Sequence, residues 1–267
     1  MKTFLLRLLA AGLVIAVTGL VYISIGIGPL TAGATDTGGH LTCMADDGLT
    51  LHAWKAEAQE PEGTPGKKPG LALLLPMLRK THESFEPFRT RLNEIGYTTI
   101  AFDLRGHGQS TKVGSTKISC TTMNEAEFAK IPSDVERFFL DFKSRHSNAY
   151  DYDNVVIIGA SIGANSAALL LGRDWVRRVA VLSPGRDYRG LAPENVLADT
   201  ANVLSKPIYM AVSIDDTYSA QSCQWLFDHY LGPKVFKRYP GQNHGTDMLH
   251  KVKDADRELL DWLRQQM

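Results

Sequence analysis
Short, unbroken apolar runs punctuate this chain, separated by longer stretches of mixed character. The runs fall at residues 71–75, 155–158, 179–182 and 208–212, and a more polar one follows at 235–239. A strand with one wet face alternates, whereas a strand covered on both faces reads as a continuous run. Between the runs lie stretches that suit helices. Small and aliphatic residues dominate from Ala164 to Leu171, an amphipathic segment covers 224–230, and helical character covers 248–266. This alternation predicts an α/β chain, a mostly parallel sheet with helices on both faces.

Two segments break the pattern. Residues 56–70 carry Pro61, Pro65 and Pro69 among charged and small residues and read as a solvated connection. Residues 8–30 form an uncharged run of 23 residues behind Lys2 and Arg7. Such a run can span a bilayer and exceeds a signal-peptide core of about 7–15 residues. Yet Pro29 followed by Ala32-Gly33-Ala34 resembles a cleavage site with the cut after Ala34. Residues 1–34 are therefore expected to be either a membrane anchor or a signal peptide, and 35–267 one folded domain. No Lys or Arg follows the run until Lys55, so both readings place that domain outside the cytoplasm.

Charge narrows the partners. Lysine plus arginine equals aspartate plus glutamate, 29 of each, which gives no electrostatic reason to expect nucleic acid. No H-E-x-x-H and no strand-linked G-x-G-x-x-G occurs, so neither a metal nor a dinucleotide cofactor is implied.

The chemistry enters after the run 155–158, at Gly159-Ala160-Ser161-Ile162-Gly163. A buried strand, a sharp turn and a helix form the setting in which G-x-S-x-G lifts a serine above a sheet edge. A serine needs a base, and the base needs a group that fixes its tautomer. Downstream lie His229, His244 and His250. His229 falls in the amphipathic segment and His250 near the start of the C-terminal helix. His244 falls in a Gly-rich loop after the strand 235–239, where an imidazole can reach a site above the sheet. The acid should follow the strand 208–213, where Asp215 and Asp216 compete; the spacing favours Asp216. The N–H of Ile162 and that of Leu78, or less favourably Met77, are the expected oxyanion donors, since Pro76 has none to offer.

With these residues the chain resembles the α/β-hydrolase fold family from about Leu41 onward. The resemblance rests on the pentapeptide at Gly159, on Asn243-His244-Gly245, and on Asp103-Leu104-Arg105-Gly106-His107-Gly108-Gln109-Ser110, which looks like the family's D-x-R-G-x-G-x-S turn. It implies an eight-stranded-type sheet, and a small serine hydrolase of the dienelactone-hydrolase or serine-aminopeptidase-like bacterial type. It also implies structural roles for Asp103, Arg105 and His107. Pro76-Met77 departs from the His-Gly common after the family's third strand, so the oxyanion loop is expected to differ in shape.

Residues 184–207 leave room for a loop and a short helix but no cap domain, which predicts an open site with Arg79 and Arg186 as solvated arginines. Export permits disulfides. Of Cys43, Cys120 and Cys223, the last two fall beside segments near the site and are expected to pair. The expected activity is hydrolysis of small acyl esters through Ser161, His244 and Asp216. Acyl transfer, peptide-bond hydrolysis and a membrane-tethered binding role on the same scaffold are the rivals.

Overall fold
The apolar runs form the centre of one sheet. The computed structural model describes residues 35–37, 39–60, 66–197 and 203–265. Its strands are β1 (Thr35–Thr37), β2 (His40–Met44), β3 (Thr50–Ala56), β4 (Gly70–Leu75) and β5 (Tyr97–Asp103). A small hairpin follows, β6 (Lys112–Val113) and β7 (Thr116–Lys117). The rest are β8 (Val155–Ala160), β9 (Arg178–Leu182), β10 (Ile208–Ser213) and β11 (Lys234–Tyr239). The main sheet has nine strands in the order β1-β2-β3-β5-β4-β8-β9-β10-β11. From β5 to β11 all neighbours are parallel. β1, β2 and β3 are added antiparallel at one edge. The ninth strand, beyond the expected eight, is β1, which pairs three residues with β2.

Helices cover both faces, which is why the central runs show no alternation. On one face Leu71, Leu73, Leu75, Ile157 and Val181 pack against α3 (Ile131–Arg145), α4 (Ile162–Leu170) and α6 (Thr217–His229), with the short α2 (Glu125–Phe128) and α5 (Glu194–Leu197) beside them. On the other, Ala72, Leu74, Ile158 and Leu182 meet α1 (Phe88–Glu94), α7 (Asp247–Lys251) and α8 (Ala255–Gln265). The expected single helix over 248–266 is in fact two. Val252 is extended (φ −100°, ψ 124°) and Asp254 is left-handed (φ 65°), so the chain turns between α7 and α8.

The D-x-R-G-x-G-x-S turn after β5 is structural. Asp103 accepts from the N–H groups of His82 (3.0 Å) and Gln109 (2.7 Å). Arg105 bridges Asp134 (2.7 Å) and Asp47 (2.8 Å). His107 is buried, with Nδ1 2.8 Å from the carbonyl of Arg105. A Cβ on Gly108, which has φ 47°, would sit 1.8 Å from Asp103 Oδ2.

The expected Cys120–Cys223 disulfide is not formed. All three cysteines are free and buried. Each belongs to the same apolar core cluster, and Cys223 lies on the covered side of α6. Burial pushes the Cys43 thiol up to about 11, and that of Cys223 well above the ordinary thiol range. Among the described residues no helix is long and apolar enough to cross a membrane. The run at 8–30, on which the anchor or signal reading rests, lies outside the described residues.

Candidate active site
Ser161, Ser183, Asp216 and His244 each follow the carboxyl end of a strand of the parallel sheet: β8, β9, β10 and β11 respectively. Loops at that edge of an open α/β sheet converge on a common crevice.

Ser161 occupies the turn between β8 and α4 with φ 53° and ψ −116°. A non-glycine residue is rarely found there, and holding it costs about 1–3 kcal/mol. The surroundings enforce it. The Ser161 N–H donates to the Leu182 carbonyl (2.9 Å), and the Ser161 carbonyl accepts from Asn165 N–H (3.0 Å). The flanking glycines are steric requirements. A Cβ on Gly159 would lie 2.1 Å from the carbonyl oxygen of Gly163, and one on Gly163 would lie 2.1 Å from that of Leu75. Both clashes are with backbone, which cannot rotate away. Gly163→Ala should therefore destabilise the domain by about 3 kcal/mol, as read by urea unfolding. A stability within about 0.5 kcal/mol of wild type would show that the elbow and the β4 loop can separate at no cost.

His244 is carried on the loop after β11. Its Nδ1–H donates to Asp216 Oδ2 at 2.6 Å. The imidazole side chain is 41% exposed and the carboxylate 16%. Burial pulls the Asp216 carboxyl upward. The hydrogen bond and charge of His244, with the hydroxyls of Ser219 and Ser183, outweigh that pull and hold it below its ordinary value. Asp216 stands at the N-terminal boundary of α6, yet its side chain makes no capping bond. It is turned to the histidine instead. Asp215 is exposed, and among the described residues its one bond is from its backbone N–H to the Gly241 carbonyl (3.0 Å). Of the two carboxylates, Asp216 is the one that meets His244. His229 stacks on Trp225 with centroids 3.8 Å apart, and His250 sits 2.9 Å from the Ser84 carbonyl. Neither lines the crevice.

Ser161 and His244 open on one cavity of about 220 Å³, together with Met77, Leu78, Asn165 and Tyr218. Among the described residues no hydrogen bond links Ser161 Oγ to His244. Such contacts often tighten only around substrate. The loop after β4 brings Met77 and Leu78 to the same wall. Among the described residues the N–H groups of Ile162, Met77 and Leu78 have no acceptor. Unpaired donors of this kind suit an oxyanion. Arg79 and Arg186 stay off the wall. Arg79 is exposed, and Arg186 is paired with Glu194 and stacked 4.2 Å over the Trp225 ring.

Several site residues carried no signal strong enough to be picked out of the sequence. Ser183, buried with φ 52°, accepts the Gly245 N–H on its Oγ at 3.0 Å and so ties the histidine loop to the end of β9. A polar residue closing an apolar strand was its only mark. Asn165, fully buried on α4, accepts from Gly185 N–H and donates to the Leu191 carbonyl, both at 2.8 Å. Gly185 and Tyr188 line the cavity, so the segment after β9 is more than a connection. Among the described residues no group of His, Cys, Asp and Glu could hold a metal.

Solved structures share the fold at low identity. An esterase from Pyrococcus furiosus is 16% identical with a TM-score of 0.60, over 88% of this chain and 94% of its own. An α/β hydrolase from a Penicillium species, GrgF, is 16% identical with a TM-score of 0.63, over 85% of this chain and 98% of its own. The acylaminoacyl peptidase of Pyrococcus horikoshii is 13% identical with a TM-score of 0.63, over 84% of this chain and 40% of its own. No curated protein matches the chain. The model of a family described as serine aminopeptidase, S33 matches residues 70–209, which span β4 through the elbow into β10. That match covers more than half of the chain, and the chain belongs to the serine aminopeptidase S33 family of α/β hydrolases.

Proposed function
We propose that this protein hydrolyses carboxylic esters of small molecules through an acyl-enzyme on Ser161. The observation that carries the reading is the 2.6 Å Asp216–His244 pair opening on the same cavity as a serine in strained backbone geometry. His244 accepts the Ser161 hydroxyl proton as Oγ attacks the carbonyl carbon. The N–H groups of Ile162 and Leu78 receive the developing oxyanion. The proton passes to the departing alcohol, and water then cleaves the acyl-enzyme by the same route. Asp216 holds the imidazole in the tautomer that leaves Nε2 free to accept.

Peptide-bond hydrolysis is the second reading, favoured by the family's description. An aminopeptidase holds the terminal ammonium of its substrate, which calls for a carboxylate. Among the described residues neither Asp nor Glu lines the cavity beside Ser161, and this supports the ester. The test compares short-chain esters with aminoacyl amides, with a competing alcohol added to reveal acyl transfer. Ester turnover with free acid as the product is expected. Faster amide cleavage, or recovery of the acyl group mainly on the alcohol, would replace the reading.

The domain is further proposed to work outside the cytoplasm, supported by the Lys2 and Arg7 charges ahead of the apolar run 8–30. Fractionation of a C-terminally tagged chain tests this. Recovery in the cytoplasmic fraction would refute it.

A further inference from the structure
The cavity beside Ser161 is lined by a small set of side chains that bear on the size of its occupant. In hydrolysis through an acyl-enzyme, the acyl half of the substrate stays attached to Oγ, while the leaving group must escape. On the ester reading, the space next to the serine is the place for the acyl group. Its far wall is built by the loop after β9 and the first turn of α6, chiefly Gly185, Tyr188 and Tyr218. Tyr218 is pinned across the gap by its hydroxyl, which donates to the Asp187 carbonyl at 2.7 Å. Its ring and that of Tyr188 have centroids 6.5 Å apart. Gly185 fits beneath them: an added Cβ would meet the Tyr218 hydroxyl at 3.1 Å and Tyr188 Cβ at 3.3 Å. The bond from Gly185 N–H to buried Asn165 keeps this loop in place.

Size and polarity then limit the substrate. A cavity of about 150 Å³ accommodates a benzene ring, so about 220 Å³ takes roughly half as much again. Among the described residues no Lys, Arg, Asp or Glu lines it. A charged acyl group would therefore lose its water without gaining a partner. We infer that the pocket accepts uncharged, apolar acyl groups of up to about eight carbons, with Tyr188 and Tyr218 setting that ceiling. This rests on the ester reading above.

Initial-rate kcat/KM on p-nitrophenyl esters from acetate to palmitate, with benzoate and hemisuccinate, tests it in wild type, Tyr218→Ala and Tyr188→Ala. For wild type a maximum between butyrate and octanoate is expected, with at least a tenfold fall by laurate. Benzoate should be accepted and hemisuccinate at least tenfold worse than butyrate. Tyr218→Ala, which removes a half-exposed ring, should move the maximum to longer chains and raise the laurate-to-butyrate ratio about tenfold. A flat profile through palmitate, equal use of hemisuccinate, or profiles unmoved in both variants would overturn the size limit while leaving the ester reading intact. Absence of turnover on every ester, with Ser161 still labelled by a fluorophosphonate, would overturn both.

Discussion

Ser161→Ala should lower kcat/KM on a short-chain ester by about a millionfold with no loss of fold. Removing the nucleophile of such a unit costs about that much, or about 8 kcal/mol of transition-state stabilisation. What remains comes from the oxyanion donors and from binding. Comparison with Ser161→Gly separates chemistry from backbone strain. Alanine keeps the penalty of φ 53°, whereas glycine adopts that region freely. The glycine variant should be equally inactive but about 1 kcal/mol more stable than the alanine variant in urea. Turnover of Ser161→Ala within tenfold of wild type would remove the serine from the mechanism. Equal stability of the two variants would mean the elbow is not strained.

Asp216→Asn should lower kcat/KM by about 10⁴-fold, while Asp215→Asn should leave it within about twofold. An amide at Asp216 accepts or donates toward His244 Nδ1 with equal ease and so releases the imidazole into the wrong tautomer. Asp215 is exposed and faces no histidine. A pH signature accompanies the loss of rate. The Asp216 carboxyl is depressed in the folded protein, so it binds protons less readily folded than unfolded. Its stabilisation is complete above the unfolded carboxylate value of about 3.9 and is lost as pH falls through the lower folded value. The stability gap between wild type and Asp216→Asn should therefore be widest near neutrality and close on acidification, as followed by urea unfolding across pH. A gap that widens toward acid would show the sign to be wrong. A large rate loss in Asp215→Asn instead would reassign the acid.

The convergence of Ser161, Asp216 and His244 on one crevice was legible because it is written in local geometry. A G-x-S-x-G between an apolar run and a helical stretch marks a sharp strand-to-helix turn. His244 was separable from His229 and His250 because it alone sits in a Gly-rich loop after a strand. The sheet was legible too, since strands such as β4 and β8 are buried on both faces and cannot hide their hydrophobicity. What escaped depends on contacts between distant segments. Tyr188 and Tyr218 are 30 residues apart, and nothing in either neighbourhood announces that they meet. Cys120 and Cys223 looked available for pairing because export would permit it, but each is sunk in packed core instead. The split between α7 and α8 turned on the backbone of Val252 and Asp254, in a stretch whose composition suits a helix throughout.

The tether at Asn165 has a consequence for how such a protein changes over time. This amide sits one turn beyond Ser161 and grips both Gly185 and Leu191, so the loop after β9 hangs from the same helix that the serine begins. The anchors use one N–H and one carbonyl, so exposed side chains of that loop such as Arg186 and Arg189 take no part in them. Exchange of those exposed side chains would leave Ser161 undisturbed, whereas a change of loop length between the two anchor points would be felt at once by the helix beneath it.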